Sequence, residues 1–265
     1  MKPIEFASPS DATTTNDTSP WTQPKRSVYQ DLILKEEYEE RRLKLPIGQT
    51  WLRLVPAFQS SPFDWMLAVH AVNFDGGKFA HPKTLRRNAR SIFDHAYSWC
   101  LANAPESLFS KTNKNGVRLL TDPLSIFWCF LEEEGRTVAR LFLARGYDGS
   151  RGGVAGLGYQ LWKMAHEKDE TGTLICDAVN HESGVLVCIE KTQPRGAKYP
   201  SYSLRRGRQP APIADFLSKM DDTEIKALCP LEDVVRELSE EEQWKCLEKV
   251  IAPKTVAIIR ENLKR

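Results

Sequence analysis

The chain has 265 residues, of which 41% are hydrophobic and 27% charged, as is usual for a folded globular protein. The formal net charge is only +2, so overall basicity does not point to a nucleic-acid partner, and the distribution of charge decides the question. The longest apolar runs fall far short of the roughly 20 residues that span a bilayer, and no apolar segment follows Met1. We therefore expect a cytoplasmic protein, in a host cell if a phage encodes it, with no membrane partner.

The first part of the chain predicts a tail followed by three strands. Residues 1–27 are rich in Ser, Thr, Asp, Asn and Pro and predict a disordered arm. Side chains alternate over 49–58, and a second strand pattern covers 64–74. Asp75-Gly76-Gly77 is a turn signal leading to a third strand at 78–80. The order predicts three consecutive antiparallel strands.

The middle of the chain predicts one helix and two hairpins. Apolar residues recur every three or four positions over 85–102, which predicts a helix. Residues 117–131 and 137–145 predict two strands joined by 132–135, with a buried helical turn over 126–131 as the alternative. After a glycine-rich loop, 157–167 predicts a short helix. The runs 185–192 and 198–208 predict the last strand pair.

Together these elements predict the fold class α+β, in the form of an OB-like antiparallel β-barrel with inserted helices and a C-terminal helical appendage. The expected domains are the arm at 1–27, an OB-type single-stranded DNA-binding domain at 28–212 and a helical segment at 213–265. Part of that segment, 221–242, is mostly acidic. A β-sandwich is the alternative architecture.

The segment 191–208 contains six Lys and Arg residues, no acidic residue and two interleaved tyrosines. Proteins that bind single strands use cations along the phosphates and aromatic faces on which bases stack, at about 1–3 kcal/mol per base. The alternative is a solvated hairpin whose tyrosines pack on lysine stems. The predicted DNA-binding residues here are Lys191, Arg195, Lys198, Tyr199, Tyr202, Arg205, Arg206 and Arg208.

Three further groups extend the predicted surface, and for the one at 83–90 ordinary exposed charge is an equal alternative. Cations over 83–90 stand at a predicted helix start, where they oppose the macrodipole and a phosphate would relieve that cost. Arginines lie in and around the middle strands, and alternate residues of the first strand share a face. These candidates are Trp51, Arg53, Lys83, Arg86, Arg87, Arg118, Arg140 and Arg145. Trp99, Trp128 and Trp162 are expected in the core.

No pattern for catalysis or for a cofactor stands out. The glycine-rich loop 146–158 lacks the lysine and hydroxyl residue of a P-loop and the spacing of a dinucleotide fingerprint, so we expect a flexible loop. The six cysteines form no Cys-x-x-Cys pair and are expected to be reduced and largely buried. His81, His95 and Cys100 lack a fourth zinc ligand, so no metal is expected, although zinc near them stays open.

Three stretches resemble the phage-type single-stranded DNA-binding proteins, the family of the helix-destabilising replication protein of large tailed phages. Gly48-Gln49-Thr50-Trp51-Leu52-Arg53-Leu54-Val55-Pro56 is similar to the opening barrel strand of that family. Residues 63–72 resemble its second strand. Residues 185–212, through Lys198-Tyr199-Pro200-Ser201-Tyr202 to Pro210-Ala211-Pro212, resemble its closing hairpin.

The resemblance implies an OB fold and sequence-independent binding of single-stranded DNA in replication, recombination or repair, without enzymatic activity. Two features depart from the family. The region 81–100 has too few ligands for the zinc subdomain of many members, and the chain ends in basic residues instead of an acidic tail. Replication or recombination proteins are therefore expected to dock on the C-terminal helices, which are also candidates for self-association. The alternatives are a nucleotide-using nucleic-acid-processing enzyme and a protein-interaction scaffold with a basic docking hairpin.

Overall fold

The protein was analysed as a computed structural model, which describes residues 30–74, 77–104, 123–146, 148–149, 155–174, 177–197 and 199–263. The predicted arm at 1–27 and the candidates Arg118 and Lys198 lie outside the described residues. The strands are β1 (Gln30–Leu32), β2 (Gly48–Leu54), β3 (Leu67–Val69), β4 (Ala71–Phe74), β5 (Gly77–Ala80), β6 (Leu124–Glu133), β7 (Arg136–Arg145), β8 (Val185–Thr192) and β9 (Ser201–Pro210).

The helices complete an α+β architecture, and this part of the predicted fold class is confirmed. They are α1 (Glu36–Glu39), α2 (Ile92–Asn103), α3 (Leu157–Ala165), α4 (Ile213–Leu217), α5 (Asp222–Ala227), α6 (Leu231–Val234), α7 (Glu240–Leu247) and α8 (Pro253–Leu263), with a 3₁₀ turn at Pro82–Thr84. Among the described residues, no helix has both the length and the apolar character needed to cross a bilayer.

Across the larger sheet the strands lie in the order β7-β6-β2-β8-β9, and β3 pairs with the same edge of β6 as β2 does. Both β2 and β3 run antiparallel to β6 and occupy the same edge of it, at Arg53–Phe130 and Leu67–Ile126 respectively. Two strands that share one edge in the same direction cannot pair with each other. The prediction of three consecutive antiparallel strands is therefore wrong for β2 and β3, whereas β4 and β5 do form a hairpin.

The two predicted hairpins of the larger sheet are confirmed. β6 and β7 pair along their whole length, and the alternative of a helical turn over 126–131 is wrong. Their two-residue turn places Glu134 at φ 51° and Gly135 at φ 78°, as a type I′ turn requires. In the described residues β7 and β9 do not pair with each other, so no closed barrel is found.

Within the larger sheet β6 is covered on both faces, which explains its continuous apolar sequence. Alternate residues of β6 point to opposite sides, with Trp128 and Phe130 in one cluster and Phe127 and Cys129 in the other. The first cluster is closed by residues of α4, α6 and the intervening segments. The second is closed by one side of α3, through Leu157, Leu161 and Ala165.

A smaller sheet, β1-β5-β4, packs against the C-terminal helices. Its apolar cluster joins Phe79 of β5 and Phe93 of α2 to Trp244 of α7 and Ile259 of α8. The C-terminal helices are therefore part of the folded core and not a separate appendage.

Candidate nucleic-acid interface

The predicted basic segment forms the hairpin at the edge of the larger sheet, and we call β8, β9 and residues 193–200 the basic hairpin. β8 lies against β2, while β9 is the outermost strand and is exposed or half-exposed along its length. The exposed fractions of Tyr199 and Tyr202 are 68% and 38%. Arg195 and Arg208 are also exposed. The hairpin therefore presents rings and cations to solvent together.

The strand register divides these side chains between two faces. Arg205 pairs with Cys188, which pairs with Trp51, so these three side chains share one face, named the Trp51 face. Arg206 pairs with Val187, whose side chain belongs to the cluster that α3 covers, so Arg206 lies on the α3 face. Lys191 lies four positions from Val187 and Tyr202 four positions from Arg206, so both are on this same side of their strands. The predicted residues of the hairpin thus do not form a single surface.

The two neighbouring arginines also differ in their partners. On the Trp51 face, Arg205 donates to the Glu190 carboxylate at 2.6 Å, and this hydrogen bond holds the pKa of Glu190 below its ordinary value. On the α3 face, the closest Arg206 nitrogen lies 3.8 Å from Glu167, beyond ordinary hydrogen-bond length. Arg206 therefore keeps more of its capacity to donate to a ligand than Arg205 does.

Arg53 does not belong to any surface, so its predicted role in binding DNA is wrong. The side chain is fully buried and donates to the carbonyls of Leu54, Ala178 and Ala211 at 2.7 Å each, and to that of Asn180. A Cβ at Gly184 would overlap its guanidinium. The arginine therefore joins β2 to the loop before β8 and to the chain leaving β9.

The arginines of the middle strands lie at the opposite edge of the sheet. β7 is four strand positions from β9, about 19 Å in a flat sheet. Arg140 pairs with Glu133 and lies 4.0 Å from Glu224, so its charge is largely compensated. Arg145, at the end of β7, is exposed.

The basic cluster at 83–90 belongs to the smaller sheet and precedes its helix. α2 begins after Ser91, whose capping box uses Asp94, so the first turn carries an acid and the macrodipole argument for these cations is wrong. Arg86 lies 3.2 Å from Glu237, Arg87 is exposed and Lys83 is partly buried. This cluster therefore lies beside the smaller sheet, whereas the basic hairpin belongs to the larger one.

The suspected zinc residues have other contacts. The Nδ1 of His81 accepts from the backbone N–H of Lys83, so Nε2 carries the proton and donates to Asp94 at 2.6 Å. Cys100 is buried in the cluster beneath the smaller sheet. Within the described parts of the chain, no group of three or more His, Cys, Asp or Glu side chains is arranged to hold a metal ion.

The His81–Asp94 contact makes the stability of the fold depend on pH in the acidic range. Burial alone raises the pKa of Asp94, but hydrogen bonds from His81 and Ser91 outweigh it and hold the pKa below its ordinary value of 3.8. This stabilisation is complete above the unfolded-state pKa and is lost as pH falls through the lower, folded-state pKa. We expect Asp94→Asn to lower the unfolding free energy by about 1–3 kcal/mol at pH 7 and to flatten its decline below pH 4. Urea unfolding at several pH values measures both.

The matched control is Asp215→Asn, at an exposed carboxyl of α4. In this variant the unfolding free energy should decline below pH 4 as it does in the parent protein. An Asp94→Asn variant with the parent's full acid dependence would contradict the assignment.

A row of rings on α3 was missed by the sequence analysis. Tyr159 stacks on Trp162 with centroids 6.0 Å apart, and Trp162 stacks on His166 at 4.7 Å. Trp162 is 43% exposed, so its expected place in the core is wrong, whereas Trp128 is buried as expected. The helical spacing contained the signal: Leu157, Leu161 and Ala165 define the buried side, and position 162 lies off it.

Two glycines of the glycine-rich loop have a packing role. A Cβ at Gly158 would lie 2.6 Å from the Cβ of Ser125, and one at Gly156 would overlap the Arg145 carbonyl. Glycine at these positions lets α3 begin directly against β6 and β7.

These features define an α+β protein with an antiparallel sheet that ends in a basic hairpin carrying two tyrosines, Tyr199 in its connection and Tyr202 on its outermost strand. Neither protein-family models nor curated proteins gave a match to this chain.

Proposed function

We propose that the chain is a sequence-independent single-stranded DNA-binding protein that coats and protects exposed strands during replication, recombination or repair. The observation that carries this proposal is the basic hairpin, where two exposed tyrosines stand among exposed arginines at the edge of a sheet. We also propose that the larger sheet has an OB-like arrangement. OB folds use a strand face and adjoining loops to bind oligonucleotides.

Single strands suit this surface better than a duplex does. In a duplex the base faces are stacked inside, whereas an unpaired strand offers them to exposed rings such as Tyr199. Arginines contact the phosphates whatever the base, which accounts for binding without sequence preference. Replication or recombination proteins would dock on α7 and α8, where Glu240, Glu241 and Glu248 are exposed.

A titration tests the proposal. We expect the full-length protein to bind a fluorescent oligo-dT more tightly than a duplex of equal length, as measured by fluorescence anisotropy. If about four phosphates are neutralised, the slope of log affinity against log salt should be about −3, which weakens binding roughly fiftyfold between 50 and 200 mM salt. Equal affinity for duplex, or no binding to either, would overturn the proposal, and binding of an acidic protein alone would favour a scaffold.

A further inference from the structure

Helix α3 connects the two edges of the larger sheet. At its start, Gly156 and Gly158 pack against the backbone of Arg145 at the end of β7. Just beyond its end, Glu167 lies 3.8 Å from Arg206 on β9. Eleven residues of helical rise separate positions 156 and 167, which is roughly 16 Å. The helix thus begins beside the backbone at the end of β7 and ends near the Arg206 side chain of β9.

The stacked rings occupy the solvent side of this helix. Tyr159, Trp162 and His166 follow one another along the axis, with interplanar angles of 24° and 26°. Lys163 is exposed beside them. The His166 end lies next to Glu167 and therefore next to Arg206, while the Tyr159 end lies toward the end of β7. The helix therefore carries a line of rings that leads away from the cation of the hairpin.

We infer that single-stranded DNA crosses the α3 face, from the basic hairpin along the rings of α3. Tyr202 and Arg206 receive the strand on the hairpin, and Trp162 and its neighbouring rings contact bases. This inference rests on the proposed function and specifies which face of the hairpin performs it.

The Trp51 face offers less to a nucleic acid. It has one exposed tryptophan, and its arginine is held by Glu190 at 2.6 Å. The α3 face also has acidic groups, since Asp64 lies 3.8 Å from His166 and Glu167 lies near Arg206. These contacts are longer, however, and the α3 face presents three stacked rings together with Tyr202.

The two faces provide matched variants, because each has one exposed tryptophan and one arginine. We expect Trp162→Leu to weaken oligo-dT binding by the full-length protein roughly fivefold or more, because stacking on a ring contributes about 1–3 kcal/mol per base. Arg206→Ser should also weaken binding. The matched variants Trp51→Leu and Arg205→Ser should weaken binding much less than their counterparts on the α3 face. Thermal unfolding of each variant shows that the fold is intact.

Photocross-linking of the unmodified protein gives an answer that does not depend on any variant folding. With oligo-dT containing 5-bromodeoxyuridine, we expect cross-links in the peptide that contains Tyr159 and Trp162. Cross-links at Trp51, or binding that depends on Trp51 and not on Trp162, would overturn this path while the proposed function stands. No binding by the parent protein would instead overturn the proposed function itself.

Discussion

Replacing Arg53 with Met is expected to lower the free energy of unfolding by about 3–5 kcal/mol, one of the largest effects of any single substitution in the chain. Methionine fills a similar volume but donates no hydrogen bond. The carbonyls of Leu54, Ala178, Asn180 and Ala211 would then lose a common donor inside the protein. Each buried acceptor left without a partner costs about 1–3 kcal/mol, partly regained where water enters.

Urea unfolding followed by circular dichroism measures this loss, with Arg87→Met as the control at an exposed arginine. Arg87→Met should change stability by less than about 0.5 kcal/mol. If the two variants were equally stable, Arg53 would not be the link between β2, the loop before β8 and the end of β9.

The second large effect is expected in DNA binding. The double variant Tyr199→Ala, Tyr202→Ala should bind oligo-dT about thirtyfold or more weakly, because two stacking contacts of at least about 1 kcal/mol each are removed. Both rings are exposed, so the fold should be retained. Anisotropy titrations at fixed salt measure the change in dissociation constant.

The matched control keeps the rings and removes only the hydroxyl groups. Tyr199→Phe, Tyr202→Phe should bind nearly as well as the parent protein, because stacking uses the ring faces. If the Phe and Ala variants were equally weakened, the hydroxyl groups would be the source of affinity and the stacking role would be refuted.

The sequence predicted local structure well wherever strand alternation and a turn signal coincided. The hairpin of β6 and β7 follows from two apolar runs around Glu134-Gly135, and that of β8 and β9 from two runs around a Pro-Arg-Gly loop. Strand order could not be predicted in the same way. β2 takes partners far along the chain, and alternation within a strand does not say which strand lies beside it.

The two errors about individual side chains, Arg53 and Trp162, have different physical causes. Alternation grouped Arg53 with Trp51, but β2 passes under the loop before β8, so its outer part is exposed and its inner part is covered on both faces. Trp162 was expected in the core because most tryptophans are buried, although its own helix turns it away from Leu161 and Ala165. The burial of Arg53 was thus decided by a distant segment, and the exposure of Trp162 by its position on the helix.

Only part of the DNA-binding surface could be predicted from the sequence. Composition identified the basic hairpin, but Arg205 and Arg206 point to opposite faces because they are adjacent in a strand. The rings of α3 were not among the predicted binding residues. Their stacking can be recognised only when the position of the helix on the sheet is known.

The packing of the smaller sheet has a consequence for biosynthesis. Phe79 and Phe93 share their apolar cluster with Trp244 and Ile259, which the ribosome adds about 150 residues later. Until those late residues emerge, the nascent chain holds this aromatic surface open to water, where chaperones or other nascent chains can reach it. The smaller sheet can therefore complete its packing only after α7 and α8 have been made, well after its own strands.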